Sequence, residues 1–216
     1  LVVAGRTTSR ADAVRSALRE AGVPSIPFGV ATEPSIERVR AAVELLTEAG
    51  CDAVLGYGGG SAIDVAKAVA VLAATGTDPR EHLEVIGAGR PIERPGLPCV
   101  AVPTTAGTGS EVTRNSVLSG NGVKASLRSP LMLPKVAVVD PDLLAGLLPT
   151  TIAASGMDAL SQLIEPLLSR RANPFTDALA RDGIRRSARS LRRGYEEGME
   201  DLGVREDLAL ASLFGG

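Results

Sequence analysis

Over the first 75 residues the apolar positions switch between two spacings. Residues 1–4 form an unbroken apolar run, as a buried strand requires. Ala13, Val14, Ala17, Leu18 and Ala21 then fall on one helical face, and Gly22 stops the helix. Residues 24–28 can form a second strand. Ser35 is placed to cap a helix through residue 49 that turns Ile36, Val39, Val43 and Leu46 to one side, with Gly50 as its end. Residues 53–55 are a third strand, and Ser61 opens a helix with Val65, Ala68, Val69 and Leu72 inward. Short apolar strands alternating with amphipathic helices predict a parallel sheet covered on both faces, and right-handed crossovers then leave a doubly wound α/β domain.

The rhythm changes after residue 75. Residues 75–98 carry Gly and Pro at several places and predict a loop with one short helix. Residues 99–102 are strand-like. Segments 111–118 and 123–127 flank Ser119-Gly120-Asn121-Gly122, a hairpin signal, and residues 136–139 are a last strand. From residue 149 only helical periodicity remains, over 152–168, 174–191 and 204–213, with Asn173-Pro174 as a helix start. The predicted division is therefore an α/β domain over 1–148 and the first helices of an all-helical domain over 149–216. That second domain is expected to be incomplete, leaving the apolar face of Leu208, Leu210 and Leu213 exposed. The first residue is not Met and no charged region precedes the opening strand, so the chain also reads as trimmed in front.

Composition narrows the picture. Hydrophobic residues are 44% but aromatics only 2%, so the core is aliphatic. A net charge of −2 offers no case for nucleic acid, and no stretch is long and apolar enough for a membrane span. Arg185, Arg186, Arg189, Arg192 and Arg193 follow helical spacing and read as a solvated face. Cys51 and Cys99 form no CxxC pair and read as small buried thiols of a reducing, cytoplasmic protein.

Three segments carry candidate chemistry. Gly56-Tyr57-Gly58-Gly59-Gly60-Ser61, followed by Asp64 and Lys67, lies between a strand and a helix. Glycines there let a ligand approach the backbone, and the helix start favours a phosphate; a plain tight turn is the alternative. Pro103-Thr104-Thr105-Ala106-Gly107-Thr108-Gly109-Ser110-Glu111 leaves a strand's C-terminal end with hydroxyls and N–H groups, to serve either a polar ligand or its own backbone. On a third segment, Asp158 and Gln162 share a helical face; Asp158 either binds a cation or caps the helix it begins.

In this order, the segments resemble the iron-containing alcohol dehydrogenase family within the dehydroquinate synthase-like superfamily. Gly58-Gly59-Gly60-Ser61 with Asp64 and Lys67 is similar to its GGGSxxDxAK motif. Residues 103–111 are similar to its PTTAGTGSE, and Asp140-Pro141-Asp142-Leu143 and Gly156-Met157-Asp158-Ala159-Leu160 to the two that follow. The resemblance covers essentially the whole chain. It implies a Rossmann-like dinucleotide-binding domain followed by a helical metal domain, with NAD(P) and Fe²⁺ or Zn²⁺ as cofactors. Gly59, Gly60 and Ser61 would hold the pyrophosphate, and Asp64, Thr104, Thr105, Lys124 and Leu143 would line the cofactor cleft. Asp158 maps onto the first metal ligand, with Gln162 where the family has its second, a His. The implied reaction interconverts a small alcohol and an aldehyde or ketone, commonly in a homo-oligomer.

The chain departs from the family pattern in places. An amide at Gln162 is a weaker metal donor than imidazole, which brings in a metal-independent reductase of the maleylacetate reductase kind. The remaining His ligands fall beyond residue 216, and His82, the one His present, matches no ligand and reads as surface or loop packing. The 216-residue piece is thus expected to bind nucleotide without turnover, and a non-catalytic nucleotide-binding fragment is the reading from another class. No carboxylate follows the first strand, where Val3-Ala4-Gly5-Arg6 stands, so Arg6 is placed to pair with the 2′-phosphate of NADP.

Overall fold

The computed structural model describes residues 1–31 and 33–216. The chain forms two compact units, one of residues 1–102 and 113–138, the other of residues 103–112 and 139–216.

The first unit is built on a five-stranded sheet in the order β2-β1-β3-β4-β7. Its strands are β1 (Val2–Ala4), β2 (Pro27–Gly29), β3 (Val54–Gly58), β4 (Cys99–Pro103) and β7 (Val136–Ala137). β1 pairs in parallel with β2 and β3, and β4 with β7. Helix α1 (Asp12–Glu20) leads from β1 to β2, and α2 (Ile36–Glu48) leads back past β1 to β3. The chain therefore reverses its progress across the sheet at the β1/β3 junction, which is the switch point where open α/β sheets bind ligands. The expected doubly wound topology is thus present.

Helix α3 (Gly60–Thr75) is the centre of this unit, with Ile63, Val65, Val69 and Leu72 all within 1% of complete burial. Ala62 to Leu72 reads as a helix buried nearly all round, because α3 packs on both the sheet and a two-stranded hairpin, β5 (Asn115–Gly120) with β6 (Val123–Arg128). Leu118 and Leu127 of the hairpin are fully buried in the same core. Ser35 accepts a hydrogen bond from Arg38 N, the expected N-cap of α2, and Gly50 takes the left-handed conformation that ends it. The short helix foreseen in the 75–98 loop is α4 (Pro79–His82), closed by an Asp78/Glu81 capping box.

Some boundaries differ from the sequence reading. β2 begins at Pro27. β3 runs on through Gly56 and Gly58, which belong to the strand because α3 lies directly on it. A Cβ at Gly56 would sit 2.9 Å from that of Ala66, and one at Gly58 2.9 Å from that of Ala62. Residues 110–112 form a 3-10 turn, so the hairpin starts later than its apolar pattern suggested.

In the second unit α5 (Pro149–Leu168), α6 (Pro174–Glu197) and α7 (Leu202–Gly215) pack on one another. Asn173 caps α6 through Phe175 N and Thr176 N. Leu191 lies over Gly156, and Leu163 over Gly183, so glycines let α5 and α6 approach closely. The face expected to be exposed on α7 is largely covered: Leu208 is buried and Leu210 and Leu213 are partly buried, because α7 packs against both other helices and the turn at Pro141–Leu144. The arginine face of α6 is laced with ion pairs. Arg186 and Arg189 bind Asp207 of α7, Arg192 binds Glu196, and Arg193 binds Asp201.

Both cysteines are free. Cys99 is buried as expected, but Cys51 is only partly so, lying just beyond α2 where the chain turns toward the surface. Burial pushes the Cys99 thiol up to about 11. At about pH 8 roughly one Cys99 in a thousand is thiolate. In native protein a thiol reagent should therefore label Cys51 and leave Cys99 at least ~100-fold slower, with both reacting after denaturation. Mass spectrometry of the labelled peptides checks the order.

Candidate functional site

At the C-terminal edge of the sheet β1 and β3 end side by side, Ala4 opposite Tyr57 in register. A Cβ on Gly58 would stand 3.4 Å from Gly5 N, and the φ of Gly58 is +154°, so the two chains meet here without side chains between them. Gly59 follows as an extended N-cap to α3 and supplies no side-chain acceptor. Ala62 N and Ile63 N turn back to Gly59 O, which leaves the first amides of the helix, those of Gly60 and Ser61, at the open end. Ser61 is exposed beside them. A 16-residue helix whose positive end is uncapped at a glycine-lined switch point is suited to an anionic group such as pyrophosphate.

Lys124 is exposed on β6, paired with Glu33 at 2.6 Å. Asp64, one turn into α3, accepts from Val117 N at 2.9 Å and pairs with Lys67 Nζ at 3.2 Å. Lys67 is 1% exposed and also donates to Thr113 Oγ1 at 2.9 Å. Arg6 follows β1 as an exposed side chain.

The second unit holds the other candidates. Thr104 is buried and Thr105 partly so. Thr105, Glu111, Asp140 and Ser212 border a water-sized cavity within the unit. Leu143 is partly buried in the turn after Asp140. The glycines of the threonine-rich loop serve packing: a Cβ on Gly107 would lie 2.8 Å from that of Ser155 on α5, and one on Gly109 2.7 Å from Ser212 O on α7. Some of the loop's polar groups are internally satisfied, Ser110 N by Thr108 Oγ1 and Gly109 N by Ser212 Oγ.

Asp158 lies in the middle of α5 and is exposed, so the alternative of an N-cap is overturned: the helix starts nine residues earlier, at Pro149. Gln162 Nε2 donates to Gly107 O at 3.2 Å, which leaves its carbonyl as the only metal-donor atom of that side chain. No group of three or more His, Cys, Asp or Glu able to hold a metal occurs among the described residues. One carboxylate and one amide oxygen fall short of the four donors of a Zn²⁺ or Fe²⁺ site, so these residues do not hold such an ion by themselves. His82 packs the loop after α3: one ring nitrogen donates to Arg90 O at 2.9 Å and the other meets Thr77 Oγ1 at 2.8 Å.

Comparison with known proteins shows the family and the fold. The family model for iron-containing alcohol dehydrogenase matches residues 1–141, and that for the C-terminal part of the Fe-containing alcohol dehydrogenase family matches residues 152–216. Long-chain-alcohol dehydrogenase 1 of Geobacillus thermodenitrificans is 40% identical over 206 residues, 95% of this chain and 52% of that protein. The 4-hydroxybutyrate dehydrogenase of Cupriavidus necator is 37% identical over 215 residues, 99% of this chain and 55% of that one. Among solved structures, the sulfoacetaldehyde reductase of Bifidobacterium kashiwanohense in complex with NAD⁺ superposes with a TM-score of 0.90 at 32% identity, over 99% of this chain and 57% of its own. The chain spans about half the length of the curated relatives it matches.

Proposed function

The chain belongs to the iron-containing alcohol dehydrogenase family, and on that basis we propose that it supplies the nucleotide-binding part of an NAD(P)-dependent oxidoreductase. The reaction interconverts an alcohol with an aldehyde or ketone: a hydride passes between the carbinol carbon and the nicotinamide ring, and the hydroxyl proton is released. The observation that carries the reading is the uncapped N-terminus of α3 at the Gly5/Gly58 junction of β1 and β3.

In the first unit Gly59, Gly60 and Ser61 take the pyrophosphate, with Asp64 and Lys124 as further cofactor-site residues; in the second, Thr104, Thr105 and Leu143 are the candidates for cofactor binding. By function, residues 1–148 act as the dinucleotide-binding domain and residues 149–216 open a helical domain, although residues 103–112 and 139–148 pack in one compact unit with the helices. Asp158 and Gln162 are the residues of this chain that would contribute oxygen donors to a metal. The hydrogen bond from Gln162 to Gly107 O favours a second reading, a metal-independent reductase of the maleylacetate reductase kind. The substrate is a small alcohol or carbonyl compound, and the setting a cytoplasmic homo-oligomer. Among the described residues no helix is long and apolar enough to cross a membrane.

Fluorescence titration of the 216-residue chain with NADH and NADPH tests the reading. Binding of either supports it, and binding of neither refutes it. Arg6 stands where a 2′-phosphate would be read, so Arg6→Ala should weaken NADPH about tenfold and leave NADH unchanged. Equal NADPH affinity in the variant would make Arg6 a solvated side chain.

A further inference from the structure

We infer that Asp64 is a positioning residue: its carboxylate fastens the β5–β6 hairpin to α3, and so fixes the strand pair that carries Lys124, instead of meeting the nucleotide itself. This rests on the nucleotide-binding reading above.

The argument starts from the edge of β5. In register with β6, Val117 faces Ser126 and Ser119 faces Lys124. The N–H groups of residues 117 and 119 point to the edge of β5 away from β6, and both are taken up. Val117 N donates to Asp64 Oδ2 at 2.9 Å, and Ser119 N to Pro34 O at 2.7 Å. A two-stranded hairpin is marginal alone, and an unpaired outer edge adds donors that need acceptors. Asp64 therefore does the work of a missing third strand at Val117. Its other oxygen faces Lys67 Nζ at 3.2 Å, and Lys67 in turn holds Thr113 at the start of the hairpin segment. One turn of α3 thus grips the hairpin at two places four residues apart in sequence, Thr113 and Val117. Both carboxylate oxygens are engaged in this grip. Lys124 sits on β6 opposite Ser119, two residues from the Val117 bond, so freeing that bond loosens the strand pair under Lys124.

The experiment uses the 216-residue chain with Asp64→Ala, Asp64→Asn, Lys124→Ala and the Asp64→Ala/Lys124→Ala pair. NADPH affinity and amide hydrogen exchange at Val117 are the readouts. Asp64→Ala should speed Val117 exchange about 100-fold without nucleotide and weaken NADPH about tenfold. Lys124→Ala should cost about fivefold in the wild type but less than about twofold on the Asp64→Ala background, since the frame is already loose. Asp64→Asn keeps an oxygen for Val117 N, so exchange and affinity should both stay within about threefold of wild type. That variant decides the matter if Asp64→Ala does not fold. A tenfold loss of NADPH in Asp64→Asn with Val117 still protected, or fully additive Lys124 and Asp64 effects, would show a direct contact and overturn the inference. If the wild type binds neither nucleotide, the underlying reading fails instead, and the Val117 exchange still reports the carboxylate's hold on the hairpin.

Discussion

Replacing Asp207 by Ala should cost the helical unit about 3 kcal/mol, among the largest losses from any one side chain in the chain. Asp207 is 5% exposed and joins α7 to α6 through four hydrogen bonds: two from Arg189, at 2.6 and 2.8 Å, one from Arg186 at 3.0 Å and one from Ser190 Oγ at 2.5 Å. Its removal strands a Ser190 hydroxyl that is 1% exposed and takes an acceptor from two guanidinium groups, of which Arg186 keeps Asp182. The figure is kept near 3 kcal/mol because the Arg189 side chain is 63% exposed and re-solvates. Asp207→Asn preserves volume and one acceptor and should cost about half as much. A urea melt followed on the helical unit checks both; a loss below about 1 kcal/mol in Asp207→Ala would remove the network from the account of stability.

The same residue sets a pH dependence. Hydrogen bonding from Arg189 first, and from Ser190 next, holds the Asp207 carboxyl below its usual value of 3.8. The folded state therefore binds the proton less readily than the unfolded one. The stabilisation is complete above the unfolded value and disappears as pH falls through the lower folded one. Asp207→Asn should flatten this part of the acid limb. Asp78 and Asp201, also lowered by arginine partners, keep theirs.

Gly109→Ala should destabilise the same unit by about 3 kcal/mol, and Gly22→Ala by about 1 kcal/mol. Both glycines have positive φ, +58° and +75°, so both substitutions incur the left-handed penalty. They differ in space. At Gly22 nothing stands within 4 Å of the added carbon, while at Gly109 it would lie 2.7 Å from Ser212 O and 2.7 Å from Gly216 Cα, both backbone. The difference between the two variants, read by thermal unfolding, isolates the steric part. Equal losses would mean that the loop shifts freely and that Gly109 is chosen for its φ alone.

The doubly wound order was legible because each element carries its own signal. Three strands too short to be anything else, three helices with one apolar face, and caps at Ser35 and Asn173 depend only on neighbours a few residues away. The helical periodicity after residue 149 was equally plain, and so was the glycine-to-helix junction at residues 58–61.

Other features escaped. Asp207 gave no signal, being one acid in a polar stretch of α7, and its importance arises only when α6 brings two arginines and Ser190 to it. Gly107 and Gly109 stood in a ligand-like loop, yet what each glycine avoids is a helix: Ser155 on α5 and Ser212 on α7. Gln162 stands at a ligand position by its spacing, and its NH2 group donates to Gly107 O, 55 residues away, a bond the spacing does not show. Asp64 looked like a cleft residue and binds Val117 N, 53 residues away.

The division has a physical reason. Periodicity, capping and left-handed turns are short-range, written within one or two helical turns, and so the sequence by itself determined the element types, their order, the α/β-then-helical plan and the phosphate-suited start of α3. What each polar group or glycine is for depends on which distant backbone arrives beside it. Only the tertiary structure could decide that Asp64 closes a strand edge, that Asp207 anchors two helices, and that Gly109 makes room for a neighbouring helix.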